Sequence, residues 1–271
     1  MLVQTYVDML SKKSVIRNLS EYAVARGKEI GYENVFDYTL GNPSVAVPDA
    51  VTKTMIELLQ TKSSMELHGY SQSLGIPQVR EKVAASLNKR FGMNYTADHI
   101  FMASGAAGAL AHAFRLVTVP GDEILTFAPF FPEYNPYVNL SGAVLKVVPA
   151  DITSFQINFE AFESMINEKT MAVLINTPNN PSGICYSTAT ITKLAEILTQ
   201  KSNEYGHVIY LISDEPYREI VFAGVDAPYV SKFYDHTISC YSFSKSLSLP
   251  GERIGYVAVN PRCEGADKMA V

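Results

Sequence analysis

Seven short apolar runs, each closed by turn-forming residues and most of them separated by helical sequence, narrow the fold of this 271-residue chain further than any other feature. They occupy residues 100–102, 123–127, 143–148, 171–175, 208–212, 238–243 and 254–259. The run Val208-Ile209-Tyr210-Leu211-Ile212 is apolar throughout, as a strand covered on both faces requires, which favours a mainly parallel sheet. Residues 78–91 space Val79, Val83, Leu87 and Phe91 four apart on one helical stripe, and Gly92 stands where a C-cap falls. Residues 106–117 and 188–200 read as further helices. Strands alternating with helices imply a doubly wound α/β domain, whose ligands bind beyond the carboxyl ends of the strands. The residues just after each run are therefore the ones to inspect.

The first forty or so residues break this pattern. Residues 15–30 read as a helix and 35–40 as a strand ending at Gly41-Asn42-Pro43, so 1–45 is expected to form an arm and part of a second, smaller domain, with 46–271 as the large domain. No internal repeat is visible. The formal charge of −5 disfavours an electrostatic nucleic-acid binder. No apolar run approaches the roughly 18 residues of a membrane span, and the N-terminus lacks the charged-then-apolar order of a signal peptide, so a cytoplasmic location is expected. Three widely spaced cysteines and five histidines without HExxH spacing indicate neither a disulfide framework nor a metal site.

Four of the strand ends carry groups that suit one ligand. Lys245, in Ser242-Phe243-Ser244-Lys245, offers an amine that can condense with an aldehyde once desolvation or nearby positive charge lowers its pKa. Taken alone, a lysine after two serines is commonly a solvated surface residue. Asp214 follows the 208–212 run and could hold a protonated pyridine nitrogen, making the ring an electron sink; it could equally cap a following helix. Ser104-Gly105-Ala106-Ala107-Gly108 opens an apolar helix, where free N–H groups could hold a phosphate, with Arg253 and Ser242 as further donors. The same small residues also suit close helix packing. Asn180 lies in the turn-rich segment Asn176 to Gly183 and could reach a ring oxygen shared with Tyr217, and Phe131 could stack on a ring face, although a tight loop and loop packing explain both equally. An amine, a carboxylate, a phosphate holder and an aromatic platform together suit an aromatic aldehyde phosphate, pyridoxal 5'-phosphate.

The ordered set Asn179-Asn180-Pro181-Ser182-Gly183, Ser213-Asp214-Glu215-Pro216-Tyr217, and Ser242-Phe243-Ser244-Lys245 with Arg253 resembles class I aminotransferases of the aspartate-aminotransferase fold type, over about residues 36–259. The resemblance implies a fold-type-I large domain with a mainly parallel, seven-stranded mixed sheet between helices, plus an incomplete small domain. It implies Lys245 as the Schiff-base lysine and proton shuttle, Asp214 as the pyridinium partner, and Asn180 and Tyr217 at the phenolic oxygen. Gly105, Ala106, Ala107, Ser242 and Arg253 would hold the phosphate, and Tyr70 would reach the phosphate of a neighbouring subunit in a homodimer. Gly41 would approach the substrate carboxylate beside Asn180. The sequence departs from the family in having Ala106-Ala107 where a hydroxyl residue is common, and Phe131 where tyrosine or tryptophan is commoner. The family's C-terminal segment, with its carboxylate-binding arginine, does not appear in these residues.

The expected activity is amino-group transfer between an amino acid, best matched by aspartate or glutamate, and a 2-oxo acid. A carbon–sulfur β-lyase would use the same lysine and carboxylate, and a cofactor-binding chain without full catalysis is a further reading. Ser242-Phe243-Ser244-Lys245 also fits the SxxK of penicillin-recognising hydrolases, but no SDN or KTG follows.

Overall fold

The structure, a computed structural model, describes Val7 and residues 15–269, and divides into two compact units, Met1–Val45 and Ala46–Val271. In the first unit α1 spans Val15–Ile30 and ends in a 3-10 turn at Tyr32–Asn34, where the Asn34 amide donates to the Ile30 carbonyl at 2.7 Å. The strand expected at 35–40 does not form: Phe36, Tyr38 and Leu40 are all exposed and pair with no other strand. An alternating apolar run needs a partner strand before its period means anything.

The second unit opens with α2 (Asp49–Thr61), α3 (Ser64–His68) and α4 (Pro77–Phe91). Helix α4 ends with Gly92 left-handed, as its sequence implies, but its stripe is rotated: Arg80, Ala84 and Leu87 are buried and Val79 is exposed. Then come β1 (Ile100–Ser104), α5 (Gly105–Val117), β2 (Glu123–Phe127), α6 (Tyr134–Asn139), β3 (Val144–Val148), α7 (Phe159–Met165), β4 (Thr170–Asn176), α8 (Thr188–Tyr205), β5 (Tyr210–Asp214), β6 (Thr237–Ser242), α9 (Phe243–Ser246) and β7 (Ile254–Val259). The seven strands form one mixed sheet in the order β1-β7-β6-β5-β4-β2-β3. Only β7 runs antiparallel to its neighbours, β1 and β6.

Strand alternation sends successive side chains to opposite faces, and each face is covered. Ile124, Leu174, Ile212, Ile238 and Val257 meet Leu110, Ala113 and Phe114 of α5 and Val138 of α6. Their neighbours Leu125, Val173, Ile175 and Leu211 meet Phe162 of α7 and Ile191, Leu194 and Leu198 of α8. Each such leucine or isoleucine stabilises the fold by roughly 1.5–3 kcal/mol when fully buried.

Because β7 is reversed, it begins where β1 and β6 end. Ile254 pairs with Ser104, and Gly255 pairs with both Ala103 and Ser242. A side chain at Gly255 would put its Cβ 2.4 Å from the Tyr241 carbonyl oxygen and 2.8 Å from the Gly105 carbonyl carbon, so the start of α5 packs directly on bare backbone. Replacing Gly255 by alanine is expected to destabilise the chain by about 1–3 kcal/mol. Thermal unfolding would show this as a fall of about 2–4 °C per kcal/mol.

Candidate active site

The carboxyl ends of β1, β4, β5 and β6 and the start of β7 form one edge of the sheet, and most of the candidate residues stand there. Asp214, the last residue of β5, is side by side with Asn176 of β4. The Asn176 amide donates to the Asp214 carbonyl at 2.9 Å and its oxygen accepts from the Asn180 N–H at 2.7 Å, so β4 fixes both the strand end and the loop beyond it. Tyr134 of α6, fully buried, donates its hydroxyl to Asp214 Oδ2 at 2.5 Å. Asp214 Oδ1 is equally buried and accepts no hydrogen bond from any described group. Burial raises the Asp214 carboxyl from 3.8 to about 7; the Tyr134 hydrogen bond opposes the shift and the Glu215 charge adds to it. A carboxylate held this way has a place for a cationic N–H donor at Oδ1.

In the chain without a ligand this carboxyl sets a pH dependence with a definite sign. A carboxyl whose folded pKa is raised binds more protons folded than unfolded, so its contribution to stability is full below about 3.8 and is lost as pH rises to about 7. Tyr134→Phe removes the one donor to the ionised form among the described residues, worth roughly 1.5–3 kcal/mol for a hydrogen bond to a charged group. Unfolding temperatures of the ligand-free protein and this variant are expected to diverge as pH rises from about 4 to about 8. A gap that stays constant across that range would show that Tyr134 does not act through the Asp214 charge.

At the β1 end, Gly105 begins α5 with φ 69°, a conformation that favours glycine, and a Cβ there would lie 2.5 Å from Arg253 Nη2. The guanidinium thus lies against the first turn, which includes Ala106 and Ala107. Ser104 makes no capping hydrogen bond to this turn, so the side chain before α5 leaves its leading N–H groups to other acceptors. Arg253 also donates to the Pro250 carbonyl at 3.0 Å. Ser242 is otherwise engaged: it caps α9, accepting from the Ser244 N–H at 3.0 Å and donating to the Ser244 hydroxyl at 2.6 Å.

Lys245 lies half-buried in α9, one turn beyond β6, and burial lowers its amine below the ordinary lysine value. Tyr217 is half-buried in the segment after β5; burial and the Asp214 charge raise its phenol, and the nearby Asn180 side chain opposes the rise. Phe131 is half-buried with its ring edge-on to Tyr134, centroids 5.6 Å apart. Tyr70 is fully exposed with no hydrogen bond to this group, and Gly41 is an exposed residue of the first unit.

Sequence reasoning missed Tyr134 and Asn176. Asn176 ends the 170–176 strand as Asp214 ends the next, a position already marked for inspection. Tyr134 lies three residues past Phe131, but nothing in its spacing reveals a contact with a carboxylate 80 positions later. No cluster of three or more potential metal ligands occurs among the described residues, and no helix among them is long and apolar enough to cross a membrane.

Residues 33–270 match the family model for class I and II aminotransferases. The chain belongs to this family. It is 32% identical over 255 residues to aspartate aminotransferase of Thermotoga maritima, covering 90% of this chain and 65% of that one. A probable aspartate/prephenate aminotransferase of Aquifex aeolicus is 32% identical over 243 residues, 86% of this chain and 59% of the relative. This aminotransferase-family chain therefore spans about three-fifths of the length of such relatives. An aminotransferase structure from Eubacterium rectale superposes with TM-score 0.95 at 46% identity, covering the whole chain and 68% of its own. The class I members are pyridoxal-phosphate enzymes, and the buried Asp214 Oδ1 and the Gly105–Arg253 cradle fit that cofactor's ring nitrogen and phosphate.

Proposed function

We propose that this protein transfers an amino group between an amino acid and a 2-oxo acid, with pyridoxal 5'-phosphate as cofactor. The observation that carries this reading is the buried Asp214, one oxygen held by Tyr134 and the other without a donor among the described residues, on the same sheet edge as the half-buried Lys245. Bound there, pyridoxal phosphate supplies an aldehyde that condenses with amines and a protonated ring that accepts the electron pair left on a substrate carbon. Asp214 holds the ring N–H. Arg253 and the N–H groups of Gly105, Ala106 and Ala107 neutralise the phosphate, with Ser242 shaping the adjoining turn. Asn180 and Tyr217 donate to the phenolic oxygen, and Phe131 covers a ring face. Lys245, its pKa lowered by burial, would hold the cofactor through its amine and would serve as the base that moves the substrate α-proton. Asn180 is also assigned to the substrate carboxylate, and Gly41 is assigned to it by the family resemblance alone.

Aspartate or glutamate with 2-oxoglutarate is the substrate pair we favour, by similarity to the aspartate and aspartate/prephenate aminotransferases among its relatives. Residues 1–45 serve as an arm and part of a small domain, 46–271 as the cofactor domain, in a cytoplasmic homodimer to which Tyr70 contributes across the interface. The test is product analysis of the purified protein with added cofactor. Glutamate and oxaloacetate from aspartate plus 2-oxoglutarate are the expected products. Pyruvate from cystathionine without a 2-oxo acid would identify a carbon–sulfur lyase instead, and cofactor uptake without either product would identify a cofactor-binding chain.

A further inference from the structure

Behind the candidate site, Arg218 is nine-tenths buried in a cage built from four distant parts of the chain. Its Nη1 donates to Glu215 Oε2 at 2.7 Å, its Nη2 to the Tyr256 hydroxyl at 3.0 Å and its Nε to Glu219 Oε1 at 3.3 Å. The guanidinium carbon stands 4.3 Å from the Tyr241 ring centroid, 5.3 Å from that of Phe91 and 5.6 Å from that of Tyr229. Burial alone would weaken its hold on the proton, but the Glu215 carboxylate and the Tyr256 hydroxyl outweigh it and raise the pKa further. A planar, permanently charged fork meets two carboxylates, a phenol and aromatic faces together, which lysine could not.

Two of these contacts lead back to the site by separate routes. Glu215 follows Asp214; its N–H donates to the Cys240 carbonyl at 2.8 Å and its Oε1 accepts from Ser239 at 2.9 Å, which ties the 214–217 segment to β6. Tyr241 donates its hydroxyl to Ser246 Oγ at 2.7 Å, and Ser246 is the neighbour of Lys245 in the four-residue α9. So short a helix makes few bonds of its own. Its last turn rests on Leu247 N–H to the Phe243 carbonyl at 3.2 Å and Ser248 N–H to the Lys245 carbonyl at 3.4 Å.

We propose that Arg218 is a positioning residue that, through Glu215 on one side and Tyr241 and Ser246 on the other, holds the Asp214–Tyr217 segment and the Lys245 turn in a fixed relation. Its importance to catalysis rests on the function proposed above; its effect on the turn does not. A merely structural arginine would, when replaced, lower the melting temperature and loosen its surroundings without selecting α9. A positioning arginine loosens that turn first.

The experiment is amide hydrogen exchange of the cofactor-free chain, resolved at residues 244–248, for the wild type, Tyr241→Phe, Arg218→Lys and Arg218→Met. Tyr241→Phe keeps the ring and removes one hydroxyl, so the fold survives even if an Arg218 variant does not. Exchange at 244–248 is expected to rise about three- to tenfold in Tyr241→Phe, the equivalent of one lost hydrogen bond. The rise should be larger in Arg218→Met and only partly reversed in Arg218→Lys, while strands β2 and β4 keep wild-type protection. Unchanged exchange at 244–248 in Tyr241→Phe, or a rise shared equally by β2 and β4, overturns the proposal. Borohydride trapping of pyridoxal phosphate by the wild type is scored separately: its failure would reject the functional reading and leave the exchange result to decide the role of Arg218.

Discussion

Lys245→Ala is expected to lower amino-group transfer by at least about a thousandfold, since a positioned proton-transfer group alone contributes typically 10²–10⁴. The loss should not come from unfolding. Lys245 is half-buried at some desolvation cost to its charged form, so removing the amine leaves the core untouched and the melting temperature within a few degrees. Pyridoxal phosphate should still bind, through Arg253 and the start of α5, but pass out of the protein on gel filtration because no amine holds it covalently. Lys245→Arg gives a second arm: it retains a cation but cannot condense with an aldehyde, and it should be as inactive as the alanine variant. Substantial activity in either variant would move the chemistry to another residue.

Asp214→Asn should change activity and stability in opposite directions. With the cofactor, the loss of a buried charge partner costs about 2–5 kcal/mol, or roughly 30- to several thousandfold in turnover. Without it, the carboxyl that burial raises to about 7 is replaced by a group that cannot ionise. The sign follows from proton binding: the wild type loses stability as pH rises from about 3.8 to about 7, and the asparagine variant has no such loss from this position. Melting curves of the ligand-free proteins should therefore show the variant gaining on the wild type across that window, while kinetic assays show it nearly inactive. A variant that was less stable at all pH values and lost activity only in proportion would indicate a structural role for Asp214.

The central strands were legible because burial on both faces imposes a nearly continuous apolar composition, and each of the seven runs between residues 100 and 259 fell within two residues of the strand that forms. The carboxyl-edge rule then pointed to Asp214, Lys245, Gly105 and Asn180 without knowledge of the strand order. The helix stripe on α4 was displaced because Arg80, a charged residue, takes a buried position by donating to the Ala97 carbonyl at 2.9 Å, while Val79 faces outward. Hydrophobicity alone assigns those two residues the other way. The 35–40 segment misled for a different reason: alternation is a local signal, and strand formation is a pairwise event. Tyr134 and Arg218 were hidden because their partners are remote. The Arg218 cage draws on Phe91, Tyr229, Tyr241 and Tyr256, whose convergence depends on β7 being inserted between β1 and β6.

Borohydride reduction of the protein mixed with pyridoxal phosphate, followed by peptide mapping, decides whether Lys245 is the cofactor-bearing residue. The phosphopyridoxyl label should appear on the peptide containing Lys245, at about one per chain, and should be absent from Lys245→Ala. A label spread over surface lysines such as Lys62, Lys146 or Lys193, or no label under conditions that saturate a related aminotransferase, would show that the buried carboxylate and the lysine turn do not form a pyridoxal-phosphate site.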